Sequence, residues 1–127
     1  MAGQKILIVE DNPLNMQLVV DVLEAAGYTA LQAKDAEEGI ALARAEKPAL
    51  ILMDENLPRM DGLSATKALK QDSATRDILV VILTAHAMKG DKERALASGC
   101  DGFLTKPINT REFPKEVAHF LEPKRGA

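Results

Sequence analysis

The sequence predicts a single α/β domain built on one parallel sheet, and the spacing of its apolar residues supports this. Five short apolar runs begin near positions 5, 28, 49, 78 and 101. Each run is followed by a stretch in which apolar residues recur every three or four positions. Runs of the first kind are typical of buried strands, and spacing of the second kind is typical of amphipathic helices. Five strands alternating with helices predict a doubly wound sheet with right-handed crossovers and helices on both faces.

The first helix is predicted to begin at Pro13. Asn12 is a suitable N-cap, and proline fits the first helical position because its missing N–H is not needed there. Two sets of apolar positions recur at helical spacing: Leu14, Leu18 and Val22, and Val19, Leu23 and Ala26. Gly27 is expected to end this helix.

Three more helices are predicted after the first. Asp35 and Glu38 resemble a capping box at the start of the second helix. The third helix is predicted over residues 62–72 and the fourth over residues 88–98. Gly90 lies inside the fourth helix and weakens it by roughly 1 kcal/mol relative to alanine.

The last helix contains a conflict in its own sequence. Asn109 and Glu112 are suitable residues to begin it, but Pro114 inside a helix would clash with the carbonyl group of Thr110. We therefore expect the helix either to start late, near Phe113, or to be bent.

Composition excludes several classes of function. The 19 acidic and 16 basic residues give a net charge of -3, which argues against a general nucleic-acid binder. The single cysteine, Cys100, excludes an intramolecular disulfide framework. The sequence has neither a signal-peptide pattern nor an apolar run approaching the ~18 residues of a membrane helix. A cytoplasmic protein that binds neither nucleic acid nor membrane is expected.

Polar side chains follow four of the predicted strands at the point where each strand ends. They are Glu10 and Asp11 after the first strand, Asp54 after the third, Thr84 after the fourth and Lys106 after the fifth. The carboxyl ends of parallel strands share one edge of the sheet, and ligands of open α/β sheets bind there. We therefore expect these side chains to form one site.

The residue types at this edge limit its chemistry. One pair of like charges at about 4 Å costs roughly 4 kcal/mol at an effective dielectric near 20, so three carboxylates need a cation. Oxygen ligands without histidine or cysteine favour Mg²⁺ or Mn²⁺ over zinc. A lysine and a hydroxyl suit a tetrahedral anion, and a carboxylate can act as a nucleophile. The predicted chemistry is Mg²⁺-assisted phosphoryl transfer onto an acid, with Asp54 as the first candidate.

The chain resembles the receiver domains of two-component response regulators, the CheY-like superfamily. Within that superfamily it looks most similar to stand-alone regulators of the DivK type, through residues 6–16 (ILIVEDNPLNM) and 85–91 (AHAMKGD). The likeness covers residues 4–121, which we predict to be the receiver domain. Residues 122–127 are predicted to form a short C-terminal tail, with no output domain. The resemblance implies a sheet of strand order 2-1-3-4-5.

The resemblance also implies a role for each site residue. Asp54 would accept the phosphoryl group, Lys106 would pair with it, and Thr84 would donate its hydroxyl to it. Phe103 would rotate inward behind Thr84, and the Lys106–Pro107 peptide bond would be cis. The implied Mg²⁺ ligands are Glu10 (mostly through water), Asp11, Asp54 and the backbone carbonyl of Asn56.

Three further positions modify this expectation. Asn56 and His86 stand where the family tunes the lifetime of the acyl phosphate. Glu55 departs from the usual apolar residue after the acceptor. Its carboxylate is expected either to face outward without effect or to disfavour phosphorylation.

The predicted function is that of a single-domain response regulator in a two-component system or phosphorelay. It would take a phosphoryl group from a phosphohistidine of a histidine kinase or phosphotransfer protein and assist its own phosphorylation and dephosphorylation, without being an enzyme. Its target would dock on the fourth helix, fifth strand and fifth helix. The alternatives are a phosphorylation-independent adaptor and, less favoured, a Mg²⁺-dependent aspartyl-phosphate hydrolase. Against the hydrolase, Asn56 stands where such enzymes have a second acid.

Overall fold

The computed structural model describes residues 3–85 and 89–122, and strands alternate with helices along this part of the chain. The strands are β1 (Lys5–Val9), β2 (Thr29–Ala33), β3 (Leu50–Asp54), β4 (Leu79–Thr84) and β5 (Gly102–Thr105). The helices are α1 (Pro13–Ala25), α2 (Ala36–Glu46), α3 (Gly62–Gln71), α4 (Lys89–Ala97) and α5 (Phe113–Leu121). Predicted and observed boundaries agree to within about one residue, apart from Met88 at the predicted start of α4, which lies outside the described residues.

The five strands form one parallel sheet of order β2-β1-β3-β4-β5, which confirms the predicted doubly wound fold. β3 occupies the centre, and all five of its residues are buried. The strand ends that carry Glu10, Asp54, Thr84 and Lys106 therefore lie at one edge of the sheet.

Alternate strand residues supply two separate cores, because successive side chains of a strand point to opposite faces of the sheet. Leu7, Ile51 and Ile82 belong to a core that includes buried residues of α2, α3 and α4. The neighbouring strand residues belong to a second core, which includes buried residues of α1 and α5. We call these the α2–α4 face and the α1–α5 face. Continuing this alternation past the strand ends assigns each residue at the carboxyl edge to one of the two faces.

Side-chain caps fix the starts of α1 and α2. Asn12 accepts hydrogen bonds from the backbone N–H groups of Leu14 and Asn15 at the start of α1. Asp35 accepts one from Glu38 at the start of α2, as a capping box requires. The Glu38 carboxylate, however, accepts from the N–H of Lys34, one residue before the cap.

The first helix leaves part of its apolar surface exposed. Leu14 is 81% exposed and Leu18 is 39% exposed, so neither belongs to the core. The helix instead buries Met16, Val19 and Leu23, among others, on the α1–α5 face. The sequence pattern was ambiguous because apolar residues cover more of this helix than the sheet can bury.

The last helix starts late, which is one of the two predicted solutions for Pro114. It begins at Phe113, so the proline lies in the first turn, where its missing N–H is not needed. The Asn109 side chain accepts hydrogen bonds from the N–H groups of Arg111 and Glu112 just before the helix. Within residues 3–85 and 89–122, every helix is too short or too polar to cross a membrane.

Candidate functional site

Three carboxylates meet at the carboxyl edge of the sheet. Glu10 and Asp11 follow β1, and Asp54 is the last residue of β3. One carboxylate oxygen from each residue lies within 4.8 Å of the other two. Glu10 and Asp54 are buried, each with 3% exposure, whereas Asp11 is exposed to solvent. This cluster, which we call the acidic cluster, therefore has two buried members and one member exposed to solvent.

A single lysine connects two members of the acidic cluster. The Nζ atom of Lys106 lies 3.0 Å from Oδ1 of Asp54 and 3.2 Å from Oε1 of Glu10. The backbone N–H of Lys106 donates to the carbonyl oxygen of Thr84 at 2.8 Å, one residue beyond the end of β5. The Lys106–Pro107 peptide bond is cis, which the resemblance implied.

The charges in the site shift the pKa values of two groups. Burial raises the pKa of Glu10, and the nearby Asp54 carboxylate raises it further. The N–H of Asn12, which donates to Glu10 at 3.1 Å, and the charge of Lys106 oppose this rise. Burial alone would lower the pKa of Lys106, but its hydrogen bond to Asp54 and the charges of both carboxylates raise it overall. Glu10 is thus held in a place where its negative charge is disfavoured.

The residues of the acidic cluster fit a divalent cation. The atoms that they offer as metal ligands are all carboxylate oxygens, which suit Mg²⁺ and other hard cations. Lys106 offers one positive charge against the three carboxylates, so the cluster keeps an excess of negative charge. A hard divalent cation would offset that excess.

The loop from β3 to α3 holds Asp54 in place. The N–H of Gly62 donates to the carbonyl oxygen of Glu55 at 2.9 Å, and the N–H of Asn56 donates to Asp54 Oδ1 at 3.3 Å. A Cβ atom on Gly62 would lie 2.1 Å from the backbone oxygen of Asp54. Only glycine therefore allows the start of α3 to pack against the end of β3.

Further along this loop, Arg59 attaches it to the start of α2. Its guanidinium lies 2.7 Å from Oδ2 of Asp35 and 3.1 Å from Oε1 of Glu37. These contacts are exposed, so each contributes little to overall stability, but together they restrict the loop next to Asp54.

The hydroxyl of Thr84 donates a 2.6 Å hydrogen bond to Oε1 of Glu55. The sequence left the direction of Glu55 open, and this contact was missed because it depends on the register of β3 against β4. Asp54 pairs with Leu83, and the backbone N–H of Glu55 continues the ladder by donating to the Leu83 carbonyl at 3.0 Å. Glu55 therefore lies beside Thr84.

Phe103 lies on the same face of the sheet as Thr84. It pairs with Ile82, two residues before Thr84, and packs against the core of the α2–α4 face. The Nζ atom of Lys92, on α4, lies 5.6 Å from the centroid of its ring. This distance is within the range of a cation–π interaction.

The fold thus brings together most of the predicted site residues. The charged contacts form on the α1–α5 face, which is the face of Glu10, Asp54 and Lys106. Thr84 and Phe103 stand on the opposite face, at the same edge. His86 lies outside the described residues.

Comparison with known proteins adds independent observations. Residues 6–118 match the family described as "Response regulator receiver domain". The chain is 44% identical to the polar-differentiation response regulator DivK of Brucella anthropi over 118 residues, which cover 93% of this chain and 96% of that protein. The DivK protein of Brucella abortus is likewise 44% identical over the same shares of both chains.

Solved structures show the same fold. The chemotaxis protein CheY4 of Vibrio cholerae superposes with a TM-score of 0.87 at 30% identity, covering 93% of this chain and 98% of that one. The receiver domain of a sensor histidine kinase from Pseudomonas aeruginosa gives a TM-score of 0.87 at 34% identity, with 94% and 98% coverage. That receiver domain has a magnesium ion coordinated in its active site cleft.

Proposed function

Because this chain belongs to the response regulator receiver family, we propose that Asp54 is the residue on which it accepts a phosphoryl group. The observation that most directly supports this proposal is the contact of Asp54 with Lys106 inside a three-carboxylate cluster at the carboxyl edge of the sheet. The donor would be a phosphohistidine on a histidine kinase or phosphotransfer protein.

The transfer itself needs a nucleophile and a counter-charge. A carboxylate oxygen of Asp54 forms a bond to phosphorus, and the phosphorus–nitrogen bond of the phosphohistidine breaks, so its electron pair returns to the imidazole. Lys106, already 3.0 Å from Asp54 Oδ1, stabilises the negative charge of the phosphoryl oxygens. The raised pKa of Lys106 keeps its ammonium protonated for this role.

The metal site is the acidic cluster. Asp11 and Asp54 would hold Mg²⁺ directly, Glu10 mostly through water, and the backbone carbonyl of Asn56 would complete the protein ligands. A bound Mg²⁺ or Mn²⁺ supplies neutralisation of the phosphoryl oxygens and of the carboxylates. The magnesium ion in the related histidine-kinase receiver domain supports this proposal.

The response to phosphorylation would begin at Thr84 and Phe103. Thr84 would donate its hydroxyl to a phosphoryl oxygen, and Phe103 would rotate inward behind it. Because Phe103 contacts Lys92 on α4, its movement would change the surface formed by α4, β5 and α5. We propose this surface as the one that binds the downstream target.

Loss of the phosphoryl group would also involve the chain's own residues. Hydrolysis replaces the Asp54 oxygen–phosphorus bond by a bond from water to phosphorus and returns the carboxylate. Asn56 borders Asp54, because its N–H donates to Asp54 Oδ1, and its side chain would influence the approach of that water. His86 is proposed to act beside it. In this sense the domain assists its own dephosphorylation while serving as a signalling protein.

Intact-mass measurement tests the proposal. The protein is incubated with Mg²⁺ and acetyl phosphate, and one added phosphoryl group is expected. The adduct should be absent from Asp54→Asn, form slowly in Lys106→Ala, and be unchanged in Asp21→Asn, an exposed carboxylate on α1 that serves as the control.

Two other results would contradict the proposal. Absence of an adduct with acetyl phosphate and with phosphoramidate would favour a phosphorylation-independent adaptor. Rapid multiple turnover of a phosphomonoester would favour the hydrolase.

A further inference from the structure

The hydrogen bond between Thr84 and Glu55 involves the same hydroxyl that the proposed function assigns to the phosphoryl group. Thr84 Oγ1 donates to Glu55 Oε1 at 2.6 Å, and Thr84 is 4% exposed. Glu55 is partly buried and its backbone is fixed at both ends. Its N–H donates to the carbonyl of Leu83, and its carbonyl accepts from the N–H of Gly62. The acceptor therefore stands at a defined position beside Thr84.

The chemistry of the two groups makes this contact competitive. A threonine hydroxyl has one proton to donate, and an ionised carboxylate can only accept. Hydrogen bonds to a charged acceptor are shorter and stronger than those between neutral groups, which agrees with the 2.6 Å separation. A phosphoryl oxygen on Asp54 would need that same proton. The sheet geometry favours Glu55, because Glu55 and Thr84 lie side by side on the α2–α4 face.

We propose that Glu55 is a positioning residue that holds the Thr84 hydroxyl in the unphosphorylated protein and competes with the phosphoryl group for it. The inference rests on the proposed function and identifies how the same site is regulated. Accepting a phosphoryl group requires the Thr84–Glu55 bond to break, so Glu55 stabilises the unphosphorylated state. A residue adjacent in sequence to the acceptor therefore makes the phosphorylated state less favourable.

The size of the effect follows from the strength of such a bond. A hydrogen bond to a charged group contributes enough to shift an equilibrium at least tenfold. We therefore expect removal of the Glu55 carboxylate to tighten binding of a phosphoryl mimic about tenfold, which corresponds to about 1.4 kcal/mol.

Titration with beryllium fluoride, which adds to carboxylates as a phosphoryl mimic, measures this directly. The titration is done at a fixed Mg²⁺ concentration and followed by NMR. Glu55→Leu removes the acceptor, Glu55→Gln keeps a weaker one, and Thr84→Val removes the hydroxyl while keeping the shape of the side chain. Glu93→Leu, at an exposed acid on α4, controls for loss of one negative charge.

The expected result is a pattern across a double-mutant cycle. Glu55→Leu binds the mimic about tenfold more tightly than the natural sequence, Glu55→Gln shows a smaller gain, and Glu93→Leu shows none. In the Thr84→Val background, Glu55→Leu changes affinity less than about twofold. Glu55→Gln keeps the test possible if the leucine variant does not fold.

Two results would overturn the inference, and they are distinguishable from failure of the proposed function. Equal affinity of the natural sequence and both Glu55 variants would show that Glu55 does not compete. An equal gain with and without the Thr84 hydroxyl would show that Glu55 acts only by its charge. If the natural sequence takes up neither the mimic nor a phosphoryl group, the proposed function itself fails and this inference fails with it.

Discussion

Lys106 and Asp54 touch although their strands are not neighbours. Nζ of Lys106 lies 3.0 Å from Oδ1 of Asp54, and β4 lies between β5 and β3 in the sheet. The contact is possible because both residues lie at the carboxyl edge on the α1–α5 face. Leu52 and Leu104, two residues before Asp54 and Lys106, belong to the core of that face. The lysine reaches across the end of β4 to a carboxylate that lies beside two other acids, Glu10 and Asp11.

Replacing Lys106 tests how strongly this ammonium stabilises the acidic cluster. Lys106→Met keeps most of the side-chain volume but leaves the carboxylates without their cation, so metal-free stability should fall by about 1–3 kcal/mol. Added Mg²⁺ should then raise the melting temperature more than in the natural sequence, because no ammonium competes with it. Thermal unfolding in EDTA and in Mg²⁺ measures both effects.

Lys67→Met provides the matched control, since Lys67 is exposed on α3. Its free energy of unfolding should stay within about 0.5 kcal/mol of the natural sequence. Equal stability of Lys106→Met and Lys67→Met in EDTA would contradict the proposed role of the ammonium.

Glu10 should make the metal-free protein less stable at neutral pH. Its pKa in the folded state is raised above the ordinary 4.5, so folding is linked to proton uptake just above that value. The free energy of unfolding should therefore fall as pH rises through the raised pKa of Glu10. Glu10→Gln should remove this dependence and raise the urea midpoint at neutral pH in EDTA, while weakening stabilisation by Mg²⁺.

Asp35 gives the comparison of opposite sign. The N–H of Glu38 and the charge of Arg59 lower the pKa of Asp35, so its contribution to stability is present above the ordinary 3.8 and is lost as pH falls through the lowered value. Asp35→Asn should lower the urea midpoint at neutral pH. A rise in midpoint for both variants would mean that general charge reduction, and not burial of Glu10, is responsible.

The contact of Lys92 with Phe103 should stabilise the observed position of the ring. Lys92→Met removes the cation, and we expect the free energy of unfolding to fall by about 0.5–1 kcal/mol. In a Phe103→Leu background the same change should have almost no effect, because the aromatic face is gone. Urea unfolding of the four proteins gives the coupling free energy, and a value near zero would exclude the interaction.

Two glycines should respond in opposite directions to alanine. At Gly62 an added Cβ would lie 2.1 Å from the Asp54 carbonyl oxygen, so Gly62→Ala must displace the backbone beside the acceptor. We expect a loss of about 1–3 kcal/mol and weaker Mg²⁺ binding. At Gly90, in α4, a Cβ would meet no atom within 4 Å, so Gly90→Ala should stabilise the protein by up to about 1 kcal/mol. Thermal unfolding decides both signs.

Much of the site could be predicted because alternation of strands and helices determines where strand ends lie. Asp54 and Lys106 needed only the assumption of a parallel sheet to be brought to one edge. The sequence did not decide which apolar residues of α1 face the core. Leu14 and Met16 are both apolar, and only the position of the sheet decides that Met16 is buried and Leu14 is exposed.

Glu55 shows most clearly what the sequence could not supply. The residues themselves determined the αβ alternation, the conflict at Pro114 that leaves α5 either a late start or a bend, and the family to which the site residues point. The tertiary structure decided that the Glu55 carboxylate accepts a hydrogen bond from Thr84, a contact between residues 29 positions apart. The physical reason is the register of β3 against β4. Asp54 pairs with Leu83, so the residues that follow them, Glu55 and Thr84, lie side by side. A shift of one position would separate these two residues.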